Sequence, residues 1–331
     1  DFCLSRGLGD VYKRQGLCEM KINKKYGVRV PATTANIGSG FDTLGMALGL
    51  YNEAYFTPVN ELSLMKSHID IQGEGAGKIK PGADNMVLQA MQAVAGKVGK
   101  EIPGGELKLI NQIPLARGMG SSSAALVSGA YLANQLCGNV LNRHEILNIV
   151  TELEGHPDNV APAIFGGFCF SIVKNKFVLT EQWKIPDTWK AVVAVPDFEL
   201  RTEDARCALP DTYSREDLVQ NIGAVSFLMA AVMMRRGELL KVGLADRIHV
   251  PYRLPLISGA EEAMKNADKK GCYGVTISGS GPTIIAFSSE EKAYEIGAAM
   301  VDGFKLHHVK SKFMVLDFDQ EGVRLIQLDN Y

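Results

Sequence analysis

A glycine- and serine-rich segment at residues 113–125, IPLARGMGSSSAA, has the composition of a loop that binds phosphate groups through its backbone. Gly118 and Gly120 allow main-chain N–H groups to approach a ligand closely, and the free N–H groups of the following helix favour negative charge. The segment lacks the Lys-Ser or Lys-Thr of a Walker A loop, and serine replaces the third glycine of GxGxxG. We therefore predict a phosphate-binding loop. The alternative is a serine-capped helix after a flexible glycine turn.

The segment at residues 151–160, TELEGHPDNV, concentrates acidic and polar side chains at the end of a predicted helix. Because the phosphate loop has no lysine, we expect Mg²⁺ to neutralise the phosphates, held by one or two nearby carboxylates. The segment offers Glu152, Glu154, His156, Asp158 and Asn159 for such chemistry. The simpler alternative is a histidine that stabilises the helix C-terminus, followed by a Pro-Asp-Asn turn.

Two further glycine-containing loops have the features of segments that present active-site groups. Asn36 and Asp42 belong to the segment ANIGSGFD, which follows a strand predicted over residues 28–32. The segment SGSGPT, residues 278–283, lies between two β-rich runs and predicts a nest of N–H groups. The alternatives are turn-forming roles for Asn36 and Asp42, and a plain hairpin turn at residues 278–283.

Arginines beside turns in the C-terminal half are suited to bind a carboxylate. Arg206 lies four residues after Thr202, and Arg253 ends the run DRIHVPYR. A guanidinium group binds a carboxylate through two parallel hydrogen bonds, which favours arginine at such a site. The alternative is that both are ordinary surface arginines.

The composition excludes several classes of protein. The 331 residues are 46% hydrophobic and carry a net charge of −2, which gives no large positive field for nucleic acid or an anionic membrane. The six cysteines form no CxxC pair, and the longest apolar run, residues 225–234, is shorter than the ~20 residues of a membrane helix. We therefore expect a cytoplasmic protein with reduced cysteines.

The remaining pattern predicts a mixed architecture of helices and strands. Helical periodicity indicates helices over residues 84–98, capped by Asp84, over 146–153 and over 293–304. The last of these follows a strand–loop–strand segment at residues 274–287 and precedes a strand over 312–318. We expect a domain boundary near residue 185, dividing residues 20–185 from 186–331. Residues 1–19 are interpreted as a non-native or disordered leader, with a natural start at Met20.

Four motifs in this order and spacing resemble the GHMP kinase superfamily: PATTANIGSGFDTLG, PLARGMGSSSAA, EGHPDNVAPAIFGG and ISGSGPT. Within it the chain resembles the homoserine kinase family, from about residue 28 to residue 318. The resemblance implies an α+β fold of two domains. The N-terminal domain would hold ATP and contain a left-handed βαβ unit, and the C-terminal domain would be ferredoxin-like.

The resemblance also implies roles for individual residues. The adenine of ATP would lie near Asn85, and Ser122 with a glutamate would hold Mg²⁺, Glu154 being preferred and Glu152 remaining open. The ATP phosphates would contact Pro114, Leu115, Ala116, Arg117, Gly118, Met119, Gly120, Ser121, Ser122, Ser123 and Ala124. The substrate L-homoserine would contact Asn36, Asp42, His156, Thr202, Arg206, Arg253 and Gly281. The residues closest to catalysis would be Asn36, Asp42, His156, Asp158, Asn159 and Arg206.

In this interpretation Asp42 binds the amino group of the substrate and the arginines bind its carboxylate. The sequence leaves open whether Asp158 or any other side chain acts as a general base. It also leaves open another small-molecule kinase of the superfamily, acting on mevalonate or a sugar, and a catalytically silent ligand-binding relative. A homodimer is the expected assembly.

Overall fold

The computed structural model describes residues 22–79, 82 and 84–327, so the interpretation of residues 1–19 concerns a segment outside the described residues. The first half of the chain contains β1 (Tyr26–Ala35), β2 (Leu44–Ser63), β3 (His68–Gly73), α1 (Met86–Val98), β4 (Pro103–Asn111), α2 (Ser121–Leu136), α3 (Arg143–Glu154), α4 (Val160–Phe165), β5 (Phe168–Lys174) and β6 (Phe177–Trp183). The second half contains β7 (Trp189–Pro196), α5 (Thr202–Cys207), α6 (Arg215–Met233), α7 (Leu240–Gly243), α8 (Val250–Arg253), α9 (Ala260–Lys269), β8 (Gly274–Ile277), β9 (Ile284–Ser289), α10 (Glu290–Leu306), β10 (Ser311–Leu316) and β11 (Arg324–Leu325).

The strands form two sheets, in agreement with the expected α+β class. The seven-stranded sheet has the order β11-β1-β2-β4-β3, and β5 joins β2 to β6. Its only parallel pair among the described strands is β3 with β4, which α1 connects. The second sheet has four antiparallel strands in the order β10-β7-β9-β8. The chain therefore returns to the first sheet through β11, which pairs with β1.

Helices α1 and α2 pack against each other and against the first sheet. The apolar residues of α1 recur at helical spacing and are buried, including Val87, Leu88, Met91 and Val94. The predicted cap of this helix is wrong by one residue, because the side chain of Asn85, not Asp84, accepts a hydrogen bond from the N–H of Val87. Asn85 has the extended backbone that an N-cap requires.

Helix α3 ends at Glu154, the carboxylate preferred in the sequence analysis. Asn142 and Glu145 form a capping box at its start, and Gly155 ends it in the left-handed conformation with a φ of 94°. Glu154 is therefore the last helical residue, and the HPDN segment begins immediately after the turn.

The predicted elements of the C-terminal half are also confirmed. The strand–loop–strand segment forms β8 and β9, and the helix predicted over residues 293–304 is the central part of α10. Cys137, Cys169, Cys207 and Cys272 are free thiols, and all except Cys207 are buried. Of the helices that the structure describes, none combines the length and the apolar composition of a membrane span.

The contact between α1 and α2 gives a testable prediction about stability. A Cβ at Gly129 of α2 would overlap the carbonyl oxygen of Val87, whereas a Cβ at Gly96 of α1 would meet open space. We expect Gly129→Ala to lower the free energy of unfolding by ~1–3 kcal/mol through overpacking. Gly96→Ala is the matched control and should raise it by ~0.5–1 kcal/mol. Urea denaturation measures both changes, and a neutral Gly129→Ala would contradict this account of the helix contact.

Candidate functional site

A cleft of about 620 Å³ lies where loops from the two sheets meet. Its walls come from the loop before α2, the end of α3, the loop after β1 and α5. The volume is within the ~300–1,000 Å³ range of small-molecule sites. The side chain of Asn36 on one wall donates to the carbonyl of Gly279, which lies 243 positions later in the chain. Most of the residues singled out from the sequence therefore line one cavity, although they are far apart in the chain.

The loop before α2 has a backbone that requires glycine. Gly118 and Gly120 have φ angles of 71° and 70°, and Gly120 is the N-cap of α2 without a side-chain cap. The helix therefore starts after glycine, and the alternative of a serine-capped helix is wrong. A Cβ on Gly118 would overlap the carbonyl oxygen of Ser278, and one on Gly120 would overlap the hydroxyl of Thr33.

Glu154 connects the end of α3 to the start of α2. Its Oε1 atom accepts hydrogen bonds from the hydroxyls of Ser122, at 2.6 Å, and Ser123, at 2.8 Å. Glu152 is exposed and does not line the cleft. Of the two candidate glutamates, Glu154 is therefore the one placed beside the N-terminus of α2.

The oxygen atoms of Glu154, Ser122 and Ser123 are suitable ligands for Mg²⁺, but they are too few to hold a metal ion by protein ligands alone. A carboxylate and two hydroxyls are hard oxygen ligands, and Mg²⁺ bound with ATP usually takes one or two protein oxygens. Among the described residues no group of three or more histidine, cysteine, aspartate or glutamate side chains has the arrangement of a metal site. The phosphates and water would have to supply the other ligands.

His156, Asp158 and Asn159 form a hydrogen-bonded group beside Glu154. The Nδ1 atom of His156 lies 2.7 Å from Oδ1 of Asp158, a carboxylate that is only 2% exposed. This hydrogen bond raises the pKa of His156 above its ordinary value, although burial acts in the opposite direction. Asn159 accepts a 2.6 Å hydrogen bond from the hydroxyl of Thr33 on β1. The group is therefore fixed against the first sheet.

Asp42 and Arg206 form a bidentate ion pair at the other end of the cleft. Their nitrogen–oxygen distances are 2.7 and 3.0 Å. The carboxylate raises the pKa of Arg206 through these hydrogen bonds. Asn36 accepts a hydrogen bond from the N–H of Asp42 and donates one to the carbonyl of Gly279. Asn36 and Asp42 have positive φ angles of 64° and 55°, so the turn-forming interpretation also holds for both residues.

Arg253 lies behind this pair and is not a surface residue, since it is only 1% exposed. Its guanidinium is 5.1 Å from the ring centre of Phe41, and the guanidinium of Arg206 is 5.6 Å from the same ring. Burial lowers the pKa of Arg253, and Arg206 lowers it further. The ring of His249, which is fully buried, stacks on Phe41 at 5.2 Å, so burial lowers the pKa of His249.

The loop between β8 and β9 closes the cleft from the second sheet. The N–H of Ser278 donates to the carbonyl of Thr283, so the hairpin alternative correctly describes its backbone. The Ser278 hydroxyl donates to the carbonyl of Gly118 at 2.6 Å, which ties this loop to the phosphate loop. The hydroxyl of Thr202 lies 3.4 Å from that of Ser280.

Some predicted residues lie outside the cleft lining. Gly281, Pro114, Ser123 and Ala124 are not part of the wall. Arg117 lines the cleft, but its Nε donates to the carbonyl of Pro196 at 3.0 Å, and its Nη1 is 3.6 Å from Glu199. The only cationic side chain of the loop is thus partly neutralised by the second half of the chain.

Sequence reasoning missed part of the wall near α1. The apolar residues Ile79 and Leu109 line it, and Asn52 accepts hydrogen bonds from the N–H groups of Gln112 and Ile113. Leu200 and Ser280 add to the opposite wall. Nothing in the local sequence marks the strand residues Asn52 and Leu109 as part of a site. Ser280 belongs to the glycine-containing loop at residues 278–283, so its place in the site could have been predicted.

Comparisons with known proteins agree on one family. Residues 85–167 match the family model for the GHMP kinases N terminal domain, and residues 228–306 match the GHMP kinases C terminal model. The chain is 41% identical over 299 residues to the homoserine kinase of Desulfitobacterium hafniense, covering 90% of this chain and 99% of that protein. It is 44% identical over 283 residues to the homoserine kinase of Moorella thermoacetica, covering 86% and 94%. The crystal structure of homoserine kinase from Cytophaga hutchinsonii matches with a TM-score of 0.84 and 32% identity, over 94% of this chain and 100% of that one.

The hydrogen bond between His156 and Asp158 predicts a pH-dependent contribution to stability. The pKa of His156 is higher in the folded chain than in the unfolded chain, so the histidine stabilises the folded state at pH values below its unfolded pKa. This stabilisation is lost as the pH rises through the pKa of the folded state. We expect the loss of unfolding free energy in His156→Gln to be largest below about pH 6 and smaller at about pH 9. Denaturation at several pH values measures the loss. In the Asp158→Asn background the same substitution should lose this pH dependence, and a loss that grew with pH would contradict the assignment.

Proposed function

The chain belongs to the homoserine kinase family of GHMP kinases, and from this membership and the cleft we propose that it phosphorylates L-homoserine with ATP. The products are O-phospho-L-homoserine and ADP, and the reaction belongs to threonine biosynthesis. The observation that carries the proposal is the joining, in one cleft, of a glycine-rich helix N-terminus and an Asp42–Arg206 ion pair. The first feature suits a nucleotide phosphate, and the second suits an amino acid.

The donor end of the cleft is assigned to ATP. The free N–H groups at the start of α2 and the positive end of its helix dipole favour the phosphates. The apolar wall of Ile79, Leu109 and Leu115, together with Asn85, suits the adenine. The Oδ1 atom of Asn85 accepts from the N–H of Val87, and the amide NH₂ of the same side chain can donate to the base.

Mg²⁺ is assigned to Ser122 and Glu154. When bound, the ion neutralises charge on the phosphates and helps to orient the transferred group. The Oε1 atom of Glu154 would then accept a hydrogen bond from the Ser123 hydroxyl, and its Oε2 atom would remain available to the ion. This arrangement supplies one protein carboxylate, which is enough for an ion that keeps several water and phosphate ligands.

The acceptor end of the cleft is assigned to L-homoserine. Its ammonium group would bind Asp42 and its carboxylate would bind Arg206. The Asp42–Arg206 ion pair would thus be exchanged for two ion pairs, each between one of these side chains and the substrate. Arg253, buried behind Phe41, adds positive potential to the carboxylate side. A sugar or mevalonate lacks the paired opposite charges that this exchange requires, which is why the alternative kinases are less well supported.

In phosphoryl transfer the side-chain hydroxyl oxygen of the acceptor bonds to the γ-phosphorus, and the bond between the γ-phosphorus and the β–γ bridging oxygen breaks, so that ADP leaves. The hydroxyl proton passes to solvent or to the transferred phosphoryl group. The transition state is loose, so alignment of the two oxygens contributes more than a strong base. Asp158 is nine-tenths buried or more and hydrogen-bonded to His156 and Asn159, which supports a positioning role for its carboxylate. His156 and Asn159 face the cleft between the two ends and are assigned to orient the reacting groups.

The proposed setting is the cytoplasm, where ATP is abundant and the free thiols of this chain stay reduced. The substrate is a small molecule.

An acceptor panel tests the proposed function. With Mg²⁺ and ATP, the protein should release ADP with L-homoserine and give at most background release with mevalonate, galactose or shikimate. 3-Aminopropan-1-ol, which keeps the amino and hydroxyl groups but lacks the carboxylate, should be a poor acceptor because Arg206 has no anion to bind. Full activity with an uncharged alcohol would reject the assignment, and the absence of ADP release with every acceptor would favour the silent relative.

Glu154→Gln should weaken the binding of Mg²⁺. We expect the Mg²⁺ concentration for half-maximal activity to rise by about ten- to a hundredfold, because the neutral amide no longer attracts the cation. Glu152→Gln, two residues earlier and exposed, is the matched control and should leave the metal titration unchanged. The reverse result would transfer the metal assignment to Glu152.

Arg206→Ala should separate the two substrates. The loss of a charge partner costs ~2–5 kcal/mol in a buried pair, and we expect the lower end because both side chains are about one-third exposed, at 38% and 34%. This corresponds to a rise of about thirtyfold in the KM for L-homoserine. The KM for ATP should change by less than about threefold. Steady-state kinetics measure both values, and equal changes would contradict the acceptor assignment.

A further inference from the structure

His249 is a buried titratable side chain that the proposed reaction does not use. It is fully buried, it is not part of the cleft wall, and it is the N-cap residue of the short helix α8. A buried imidazole needs partners for both of its nitrogen atoms, because an unpaired polar group in the interior is unfavourable. The partners of His249 therefore indicate what the ring does.

The two ring nitrogens of His249 have partners that fix its protonation state. Nε2 lies 2.8 Å from the carbonyl oxygen of Gly38, which can only accept, so Nε2 carries a hydrogen. Nδ1 lies 3.3 Å from Nη1 of Arg253, which can only donate, so Nδ1 carries a lone pair. The ring is therefore neutral, with its one proton on Nε2. An imidazolium would lose the hydrogen bond from Arg253 and would place two cations side by side.

The charged groups around the ring fit the neutral form. Asp246 has an oxygen 3.8 Å from Nε2 of His249, but its carboxylate accepts hydrogen bonds from the backbone N–H groups of residues 248–250. Asp42, on the loop after β1, favours a charged ring, whereas Arg253 of α8 opposes it. Burial has the largest effect and lowers the pKa of His249.

Arg253 is a buried cation that has no carboxylate within ion-pair distance among the described residues. Its Nε donates to the carbonyl of Ala205 at 3.2 Å, and its Nη1 donates to the carbonyl of Gly279 at 3.4 Å and to Nδ1 of His249. Within the same part of the chain its Nη2 donates no hydrogen bond, and Arg253 lines the cleft. Because a buried charge without a counter-ion is unfavourable, this guanidinium suits an anionic group that enters the cleft.

The ring of His249 also holds the loop that carries Asp42. Its Nε2 donates to Gly38, and its plane stacks on Phe41 with 5.2 Å between the ring centres and 27° between the planes. Gly38 and Phe41 lie just before Asp42 in the chain. One imidazole therefore connects Arg253 to the loop from which Asp42 faces the acceptor.

We propose that His249 is a positioning residue of the acceptor site, and that its ring aligns Arg253 so that Nη2 meets the carboxylate of an amino-acid acceptor. This inference rests on the proposed function, since it takes the acceptor to be an α-amino acid such as L-homoserine. His249 does not contact the acceptor, and its ring neither gains nor loses a proton in the reaction. The feature that Arg253 requires is the lone pair on Nδ1.

Two substitutions separate the roles of the two nitrogens. The side-chain oxygen in His249→Asn lies near the position of Nδ1 and can accept from Arg253, whereas the amide in His249→Gln lies near the position of Nε2 and can donate only to Gly38. With Mg²⁺ and ATP, His249→Gln of the full chain should raise the KM for L-homoserine by about ten- to a hundredfold. In His249→Asn this KM should rise by less than about threefold, and in both variants kcat and the KM for ATP should change by less than about threefold. Equal KM values for L-homoserine in the two variants would overturn the proposal.

An acceptor without a carboxylate is the matched control. In L-homoserinol a CH₂OH group replaces the carboxylate, so Arg253 has no anion to bind. We expect kcat/KM for L-homoserinol to agree within about threefold between the unchanged protein and His249→Gln. A loss of the same size with both acceptors would indicate a general structural defect and would overturn the proposal. No ADP release with L-homoserine in the unchanged protein would instead reject the proposed function, and the inference with it.

Nitrogen NMR of the unchanged protein tests the proposal even if a variant fails to fold. In protein with isotope-labelled histidine, NOE contacts to the ring of Phe41 identify the signals of His249. At neutral pH we expect a protonated Nε2 and an unprotonated Nδ1. The Nδ1 signal should move when L-homoserine binds and should stay in place when Mg²⁺ and ATP bind alone. A protonated Nδ1, or an Nδ1 signal that L-homoserine leaves unchanged, would contradict the assigned role.

Discussion

The structure depends on the close approach of the phosphate loop to both sheets. Gly118 touches the carbonyl of Ser278 from the second sheet, and Gly120 touches Thr33 from the first, in both cases without room for a Cβ. The hydroxyl of Ser278 also donates to the carbonyl of Gly118. Glycine at these two positions therefore sets the distance between the two halves of the cleft.

This constraint explains why charge is distributed as it is around the cleft. Gly118 and Gly120 leave no space for a side chain at these two positions, and the long side chain of Arg117 points to Pro196 and Glu199. In the proposed function, the phosphate charge would then be met by backbone N–H groups, by the α2 dipole and by a cation beside Glu154. The net charge of −2 for the whole chain fits this local solution, since no large positive surface is needed.

Sequence reasoning recovered the loops but not the contacts between them. Glycine spacing, helix periodicity and the density of polar groups after α3 each act over a few residues, so α10 and the start of α2 could be predicted. Glu154 could only be preferred over Glu152, because the choice depends on Ser122 reaching it across 32 positions. The buried state of Arg253 depends on packing against Phe41 and could not be predicted from local sequence.

The proposed acceptor end of the cleft, at Asp42 and Arg206, depends more on the second half of the chain than the proposed donor end does. The loop that carries Asp42 is held by Asn221 of α6, which donates to the carbonyl of Ser39, and by the carbonyl of Gly243, which accepts from the Ser39 hydroxyl. The phosphate loop, Glu154 and the apolar wall all come from the first half. Under the proposed assignment, changes in α5 and α6 would therefore alter acceptor binding while the nucleotide end stays intact.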